Sequence, residues 1–201
     1  MTIEYFCHSC FRLEGSKSVL FDPYTGVGYE MNNTSADIVV CSHFHFDHHA
    51  TDKVVYSHLV DVPASRNFDG VEISGVSTFH DSMGGTKRGN NTVFKVKIDG
   101  VTVVHLGDIG FIDEKVVSFA KGCDVLFVPV GGFYTIDEID AKTIADKIAP
   151  RVIVPMHYRV KTCNLPIAPV SAFTELYDDF NRCGSKCEYE SLVGGVNVFD
   201  F

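Results

Sequence analysis

Four segments of this chain share one arrangement: a short apolar run, suited to a buried strand, followed by a side chain that can bind a metal. Ile38 to Cys41 runs into His43, Val71 to Phe79 into His80, Val101 to His105 into Asp108, and Val152 to Pro155 into His157. Residues at strand ends collect on one rim of a sheet, where α/β proteins usually form their sites. A lone histidine after a strand is more often an ordinary polar residue than a ligand. The recurrence constrains the fold, because all four ends must face one place.

The first segment is the densest. SHFHFDHH, Ser42 to His49, places His43, His45, Asp47, His48 and His49 together, four of the nine histidines in the chain. Along an extended backbone, residues two apart point the same way and lie roughly 7 Å apart, so His43 and His45 can reach one ion. Asp47 and His48 are adjacent, point elsewhere and suit a second ion. A polar loop with a chance cluster of histidines is the plain alternative. Imidazole and carboxylate donors suit Zn, Fe, Mn, Co or Ni and disfavour Ca or Mg.

Around these anchors the chain reads as alternating short strands and helices. Met1 to Tyr5, Phe11 to Glu14 and Ser18 to Phe21 read as strands, the last stopped by Asp22-Pro23. Tyr24 to Ala36 reads as a loop, and His48 to Asp52 as the start of a short helix. Val54 to Ser65 fits no single template. Thr92 to Ile98 pairs with Val101 to Val104 across Asp99-Gly100, a hairpin signal. Helices are expected over Asp113 to Ala120, Ile136 to Ile148 and Ser171 to Phe180, with strands over Val125 to Val130 and Val196 to Phe199. A strand-rich early half and an alternating later half suit sheets packed beneath outer helices.

Length and charge set outer limits. The 201 residues fit one large domain or two closely fused halves, and a core of that size needs no disulfides. A net charge of −9 repels nucleic-acid phosphate, so a small-molecule substrate is expected and a nucleic acid is not. The sequence has no secretory signal and no apolar run near 18 residues, which points to a cytoplasmic protein without a membrane span. Seven cysteines, an odd number, agree with reduced thiols. Cys7 and Cys10 form a CxxC, and Cys183 and Cys187 a second close pair. A redox or zinc role for them is the lesser reading, since Cys10 leads into the strand-like FRLEG instead of opening a helix.

HFHFDHH matches the HxHxDH signature of the metallo-β-lactamase fold, with His80, Asp108 and His157 following in the expected order. HSCFRLEG, VLFDP, TFHD, KRGNN, HLGD and IVPMHY resemble the branch of small metal-dependent hydrolases that includes the ascorbate-6-phosphate lactonase-like proteins. The resemblance implies an α/β fold, an αβ/βα four-layer sandwich of two mixed sheets with helices outside, over residues 1–201 as a single domain. It implies two divalent ions, foremost Zn. His43, His45 and His80 would hold the first ion and Asp47, His48 and His157 the second, with Asp108 bridging. The implied activity is hydrolysis by a bridging hydroxide of a lactone, ester or phosphodiester bond in a small anionic substrate. Asp47 would orient the nucleophile.

Departures separate relatives. Asp108 stands where one large class of zinc β-lactamases carries cysteine, which argues against antibiotic hydrolysis. His45 stands where di-iron flavoproteins of this fold carry glutamate. An iron-dependent oxidoreductase of the same fold and a non-enzymatic metal-binding protein are the rival readings. His8, in the HSCF stretch, is a candidate for the metal rim and is grouped with Asp47 as catalytic. Lys87, Arg88 and Tyr158 are candidate substrate contacts, the first two set against a reading as solvated loop charges. His49 and His105 are expected behind the ligands or in packing, and His58 away from the site. Nothing in the sequence fixes the oligomeric state, and a homo-oligomer is compatible with it.

Overall fold

The computed structural model describes residues 1–201. In chain order it has strands β1 (Thr2–Cys7), β2 (Cys10–Glu14), β3 (Ser18–Phe21), β4 (Thr34–Val40), β5 (Val54–Val60), β6 (Ser65–Phe68), β7 (Val71–Phe79), β8 (Asn90–Ile98) and β9 (Val101–His105). Helix α1 (Glu114–Ala120), strand β10 (Val125–Pro129), helix α2 (Glu138–Ile148), strand β11 (Val152–Met156) and helix α3 (Ser171–Thr174) follow. Strands β12 (Asn181–Cys183), β13 (Lys186–Glu188) and β14 (Gly195–Phe199) complete the chain.

Two mixed sheets result, ordered β13-β1-β2-β3-β4-β5 and β12-β14-β11-β10-β9-β8-β7-β6. Their buried faces meet through aromatic rings. Phe11 of the first sheet stacks on Phe127 of the second at 4.1 Å, and Phe21 stacks on His105 at 5.0 Å. Rings are enriched at such a seam because flat contact buries large apolar area. The expected α/β sandwich is present with short helices, α1 against β7 and α2 against β10, with α2 also touching α1 and α3. Asp113 caps α1 and Asp137 caps α2 by accepting backbone N–H bonds, as carboxylates do at helix N-termini. Helix α2 buries Ala141, Ile144, Ala145 and Ile148, whereas Ile139 is exposed on its outer side.

Strand direction explains where the site lies. In the first sheet β1 and β3 run the same way, being antiparallel to β2 on either side, and β4 is parallel to β3. Their ends deliver His8, Asp22 and His43. In the second sheet β7 and β9 flank the antiparallel β8, and β9, β10 and β11 are parallel. Their ends deliver His80, Asp108 and His157. Backbone bonds tie the two rims together, from His157 N–H to His8 C=O at 2.9 Å and from Thr92 N–H to Ser42 C=O at 2.9 Å.

Several expectations need correction. Thr34 to Ala36 is strand, not loop: Asp37 accepts bonds from the Ser18 N–H and hydroxyl, so a polar residue holds β4 to β3. His48 to Asp52 is not helical. His48 N–H closes a turn on His45 C=O, and only Thr51–Lys53 form a short 3₁₀ turn. The ambiguous Val54 to Ser65 is mostly β5, an edge strand whose middle residues face solvent. Helix α3 stops at Thr174 instead of Phe180, since Asp178 and Asp179 would place negative charge at the negative end of a longer helix. Strands β12 and β13 are too short to show any periodicity. The Asp99-Gly100 turn is as expected, with φ of 51° and 82°, the left-handed pair such hairpins require.

Candidate metal centre

Each ligand candidate from the sequence arrives at one cluster. His43, His45 and His80 bring their ring nitrogens together, as do His8, Asp47, His48 and His157. Asp108 stands between the sets. Its Oδ2 lies 3.2 Å from His80 Nε2, 3.2 Å from His157 Nε2 and 3.3 Å from His48 Nε2. One carboxylate oxygen thus faces imidazoles from both groups, the placement a bridging ligand needs.

The ring nitrogens of His48 and His43 point inward because their other ring atoms are held from behind. Asp22 Oδ2 accepts from His48 Nδ1 at 2.7 Å and from the Ser42 hydroxyl at 2.6 Å, while its Oδ1 accepts the Ser42 N–H at 2.7 Å. The Ser42 hydroxyl oxygen in turn accepts a hydrogen bond from His43 Nδ1–H at 2.9 Å. With Nδ1 donating, Nε2 of each ring carries a bare lone pair. His43 Nε2, His48 Nε2, His157 Nε2 and Asp108 Oδ1 are buried and lack any hydrogen-bond partner. Buried polar atoms are seldom left this way. Seven nitrogen and oxygen donors, four of them bearing these unpartnered atoms, fit borderline divalent cations, Zn, Mn, Fe, Co or Ni, so the residues present suit the expected metals.

Electrostatics agree. Burial opposes ionisation of Asp108, yet His157 and His48 overcome it and hold its carboxyl well below the usual range. Asp47 is likewise held down, against its burial, by His48 and His8. Burial pushes the His43 imidazole well down, and it lowers His8 to about 4 with help from His157. His48 goes the other way: against its burial, Asp108 and Asp47 push it well up. Two ionised carboxylates around that ring call for positive charge at its Nε2.

His8, a candidate for the metal rim, is part of the cluster. Its Nε2 is 3.3 Å from Asp47 Oδ2 and its ring is 4.3 Å from that of His157. Both His8 and His157 sit at positive φ, 57° and 54°, a conformation costly for non-glycine residues and typical of functional sites. His105 lies behind the ligands, its Nε2 2.9 Å from Ser9 C=O and its ring on Phe21. His49 turns away to Asp61 at 3.3 Å, and His58 stacks on Phe68.

A cavity of ≈ 280 Å³ opens above Asp47, His80 and Asp108, and Lys87 and Arg88 line it. A larger hollow of ≈ 480 Å³ adjoins it, sharing His45 and Arg88, but Asp108 faces only the smaller one. Tyr158 is a correction. It is buried, and its hydroxyl donates to Phe199 C=O at 3.1 Å in the core, so it cannot turn to the cavity without abandoning that bond.

Three residues that hold the site escaped sequence reasoning. Asp22 was legible only as a strand stop, although its place after β3 follows the same rule as the ligands. Asn91 accepts the Asp108 N–H at 3.0 Å and donates to Leu106 C=O at 2.8 Å, fixing the turn that presents Asp108. That turn needs Gly107, because a Cβ there would lie 2.3 Å from Asn91 Oδ1. Asp81 gathers the backbone N–H groups of Met83, Gly85, Lys87 and Arg88 at 2.7–3.0 Å, folding the loop that carries both cations.

Comparison with known proteins agrees with this geometry. The beta-lactamase superfamily domain matches residues 2–157. A UPF0173 metal-dependent hydrolase of Pelotomaculum thermopropionicum is 31% identical over 192 residues, covering 79% of this chain and 84% of that one. A crystal structure from Thermotoga maritima, placed in the metallo-β-lactamase superfamily, superposes with a TM-score of 0.81 at 36% identity over 98% of each chain. A metallo hydrolase from Ignicoccus hospitalis shares the fold at 21% identity, with a TM-score of 0.68 over 87% of this chain and 89% of its own. The chain belongs to the UPF0173 metal-dependent hydrolase family, within the metallo-β-lactamase fold.

Proposed function

We propose that this protein is a two-metal hydrolase acting on a lactone, ester or phosphodiester bond of a small anionic molecule. The observation that carries the reading is Asp108 Oδ2, equidistant at 3.2 Å from His80 and His157, which belong to different donor sets. His43, His45 and His80 would hold one ion and Asp47, His48 and His157 the other, with His8 beside the second set. Divalent ions in such a site lower the pKa of water from about 16 to about 7 and polarise the substrate oxygen.

The chain's own residues supply the rest. Asp47 is ionised, reaches the cavity, and is placed to orient the attacking water and accept its proton. His8, buried, neutral and outside the cavity lining, steadies Asp47. The water oxygen bonds to the acyl carbon or phosphorus, the bond to the leaving oxygen breaks, and the proton on Asp47 passes to that oxygen. Lys87 and Arg88 form no ion pair with a carboxylate, although acidic side chains outnumber basic ones 26 to 17. Free cations over a ligand cluster suit an anionic substrate group, Arg88 as a bidentate fork. Resemblance to the lactonase-like branch keeps lactones in the set, and a small substrate inside the cell is the setting this reading expects.

The test is a panel of esters, lactones, phosphodiesters and thioesters, each with Zn, Mn, Fe, Co and Ni. Turnover of one class, lost in Asp47→Asn while the ion beside His43, His45 and His80 is retained, is the expected result. Stoichiometric iron with oxygen consumption and no hydrolysis would replace this reading with the oxidoreductase one. Metal binding without any turnover would leave a binding protein.

A further inference from the structure

The cavity above the ligands is lined by chemistry of two kinds besides the ligands themselves. Lys87 and Arg88 stand on the 82–89 loop, whereas Phe46, Tyr134 and Leu165 come from three other loops and form an apolar wall. Phe46 is 58% exposed although it sits between the ligand candidates His45 and Asp47. It is also held in place. Its carbonyl accepts the Thr25 N–H at 3.2 Å, and its ring lies against Gly26, where an added Cβ would come within 3.2 Å. Arg88 rests its guanidinium 5.1 Å over the Tyr134 ring, which fixes that ring and leaves Lys87 as the unengaged cation. Outside the wall, Phe133 packs 4.7 Å from Tyr134 and is 64% exposed, and Met83 on the cation loop is 58% exposed.

We propose that this wall binds an aryl or alkyl group, so that the substrate is an amphiphilic anion. Its charged group meets Lys87 and Arg88, its scissile bond lies over Asp108, and its apolar group rests on Phe46, Tyr134 and Leu165. The inference rests on the hydrolase reading for the scissile bond only; the binding part stands apart from it. A substrate group is favoured over a second copy of the chain because the three side chains line a concavity continuous with the ligands. A volume of ≈ 280 Å³ takes one ring with one charged group, near the lower end of small-molecule sites at roughly 300 Å³. An aromatic side chain left exposed at a cavity, as Phe46 is, marks a binding surface more than a packing remnant.

The experiment is calorimetric titration of the metal-loaded protein with phenylphosphonate and with methylphosphonate, which share a charged head and differ in the apolar group. Phenylphosphonate should bind at least about tenfold tighter, the effect of removing a ring face from water. Phe46→Ala and Leu165→Ala, on separate loops, should each cut that preference to about threefold or less with metal content unchanged. Equal affinity for the two phosphonates in the wild type overturns the proposal, as does a preference that survives both substitutions. Binding of neither compound overturns it as well. A dimer seen by sedimentation in the wild type and lost in either variant would assign the wall to a subunit interface and also overturn it. A clear phenyl preference in a protein that hydrolyses nothing on the panel would remove the hydrolase reading and leave this inference standing.

Discussion

The floor and the rim of the cavity hold their charged groups in different ways. On the floor, Asp22 and Ser42 stand behind His48 and His43, and Asn91 stands behind Asp108. These residues leave strand ends of both sheets and are buried. On the rim, the backbone N–H groups of Lys87 and Arg88 both bond to Asp81 Oδ2, neither side chain has a carboxylate partner, and Arg88 alone rests on a ring, that of Tyr134. The floor therefore fixes the rings of His48 and His43 and the turn that presents Asp108, as metal sites of defined geometry require of the groups behind their ligands. The rim fixes where the cations start, rests the Arg88 head on Tyr134 and leaves the Lys87 head free to follow a substrate.

If that contrast is right, damage to the floor and damage to the rim should separate cleanly. The largest effect is expected for Asp108→Asn, which removes the shared oxygen. kcat should fall by about 10³-fold, corresponding to about 4 kcal/mol of transition-state stabilisation, with loss of metal measurable by plasma emission. Asp22→Asn should come next. It touches no substrate, yet it loosens His48 and Ser42, and metal affinity should fall about 10–100-fold in a competition titration against a chelator. Unchanged affinity would show that the partners behind the rings are dispensable.

Asp81→Ala tests the rim. The 82–89 loop loses the acceptor of four N–H groups, so KM for anionic substrates should rise about tenfold while kcat and metal content change little. An equal fall in metal content would join rim to floor and break the comparison. The smallest effect concerns His8 in the chelated protein. Its folded pKa of about 4 lies below the ordinary 6.5, so the unfolded chain binds more protons between those values. Stability should be intact above pH 6.5 and decline as pH falls toward 4, and His8→Asn should flatten that decline in thermal unfolding curves.

The same contrast explains what the sequence disclosed. Ligands sit at strand ends, and strands announce themselves through apolar runs, so His43, His80, Asp108 and His157 could be placed before any coordinates. The supporting groups could not. Asn91 is the second residue of an ordinary strand, and its role depends on which turn lies beside β8 in space. Asp81 was visible only as a neighbour of His80, since a carboxylate gathering N–H groups leaves no periodic trace. Tyr158 misled because adjacency to His157 in sequence says nothing about direction: at a strand end, neighbouring side chains face opposite ways. The helix expected over His48 to Asp52 failed for a related reason, because His48 must reach Asp22 and the chain turns to allow it.

The central claim is that Asp108 joins two metal sites, one built on His43, His45 and His80 and the other on Asp47, His48 and His157. Anomalous-scattering maps of crystals grown with zinc, for the wild type and for His80→Ala and His157→Ala, test it most directly. Two peaks roughly 3.5–4 Å apart, flanking Asp108, are predicted for the wild type. His80→Ala should dim the peak beside His43 and His45, and His157→Ala the one beside Asp47 and His48. A single peak with Asp47 and His157 turned away, or equal loss of both peaks in each variant, would contradict the account.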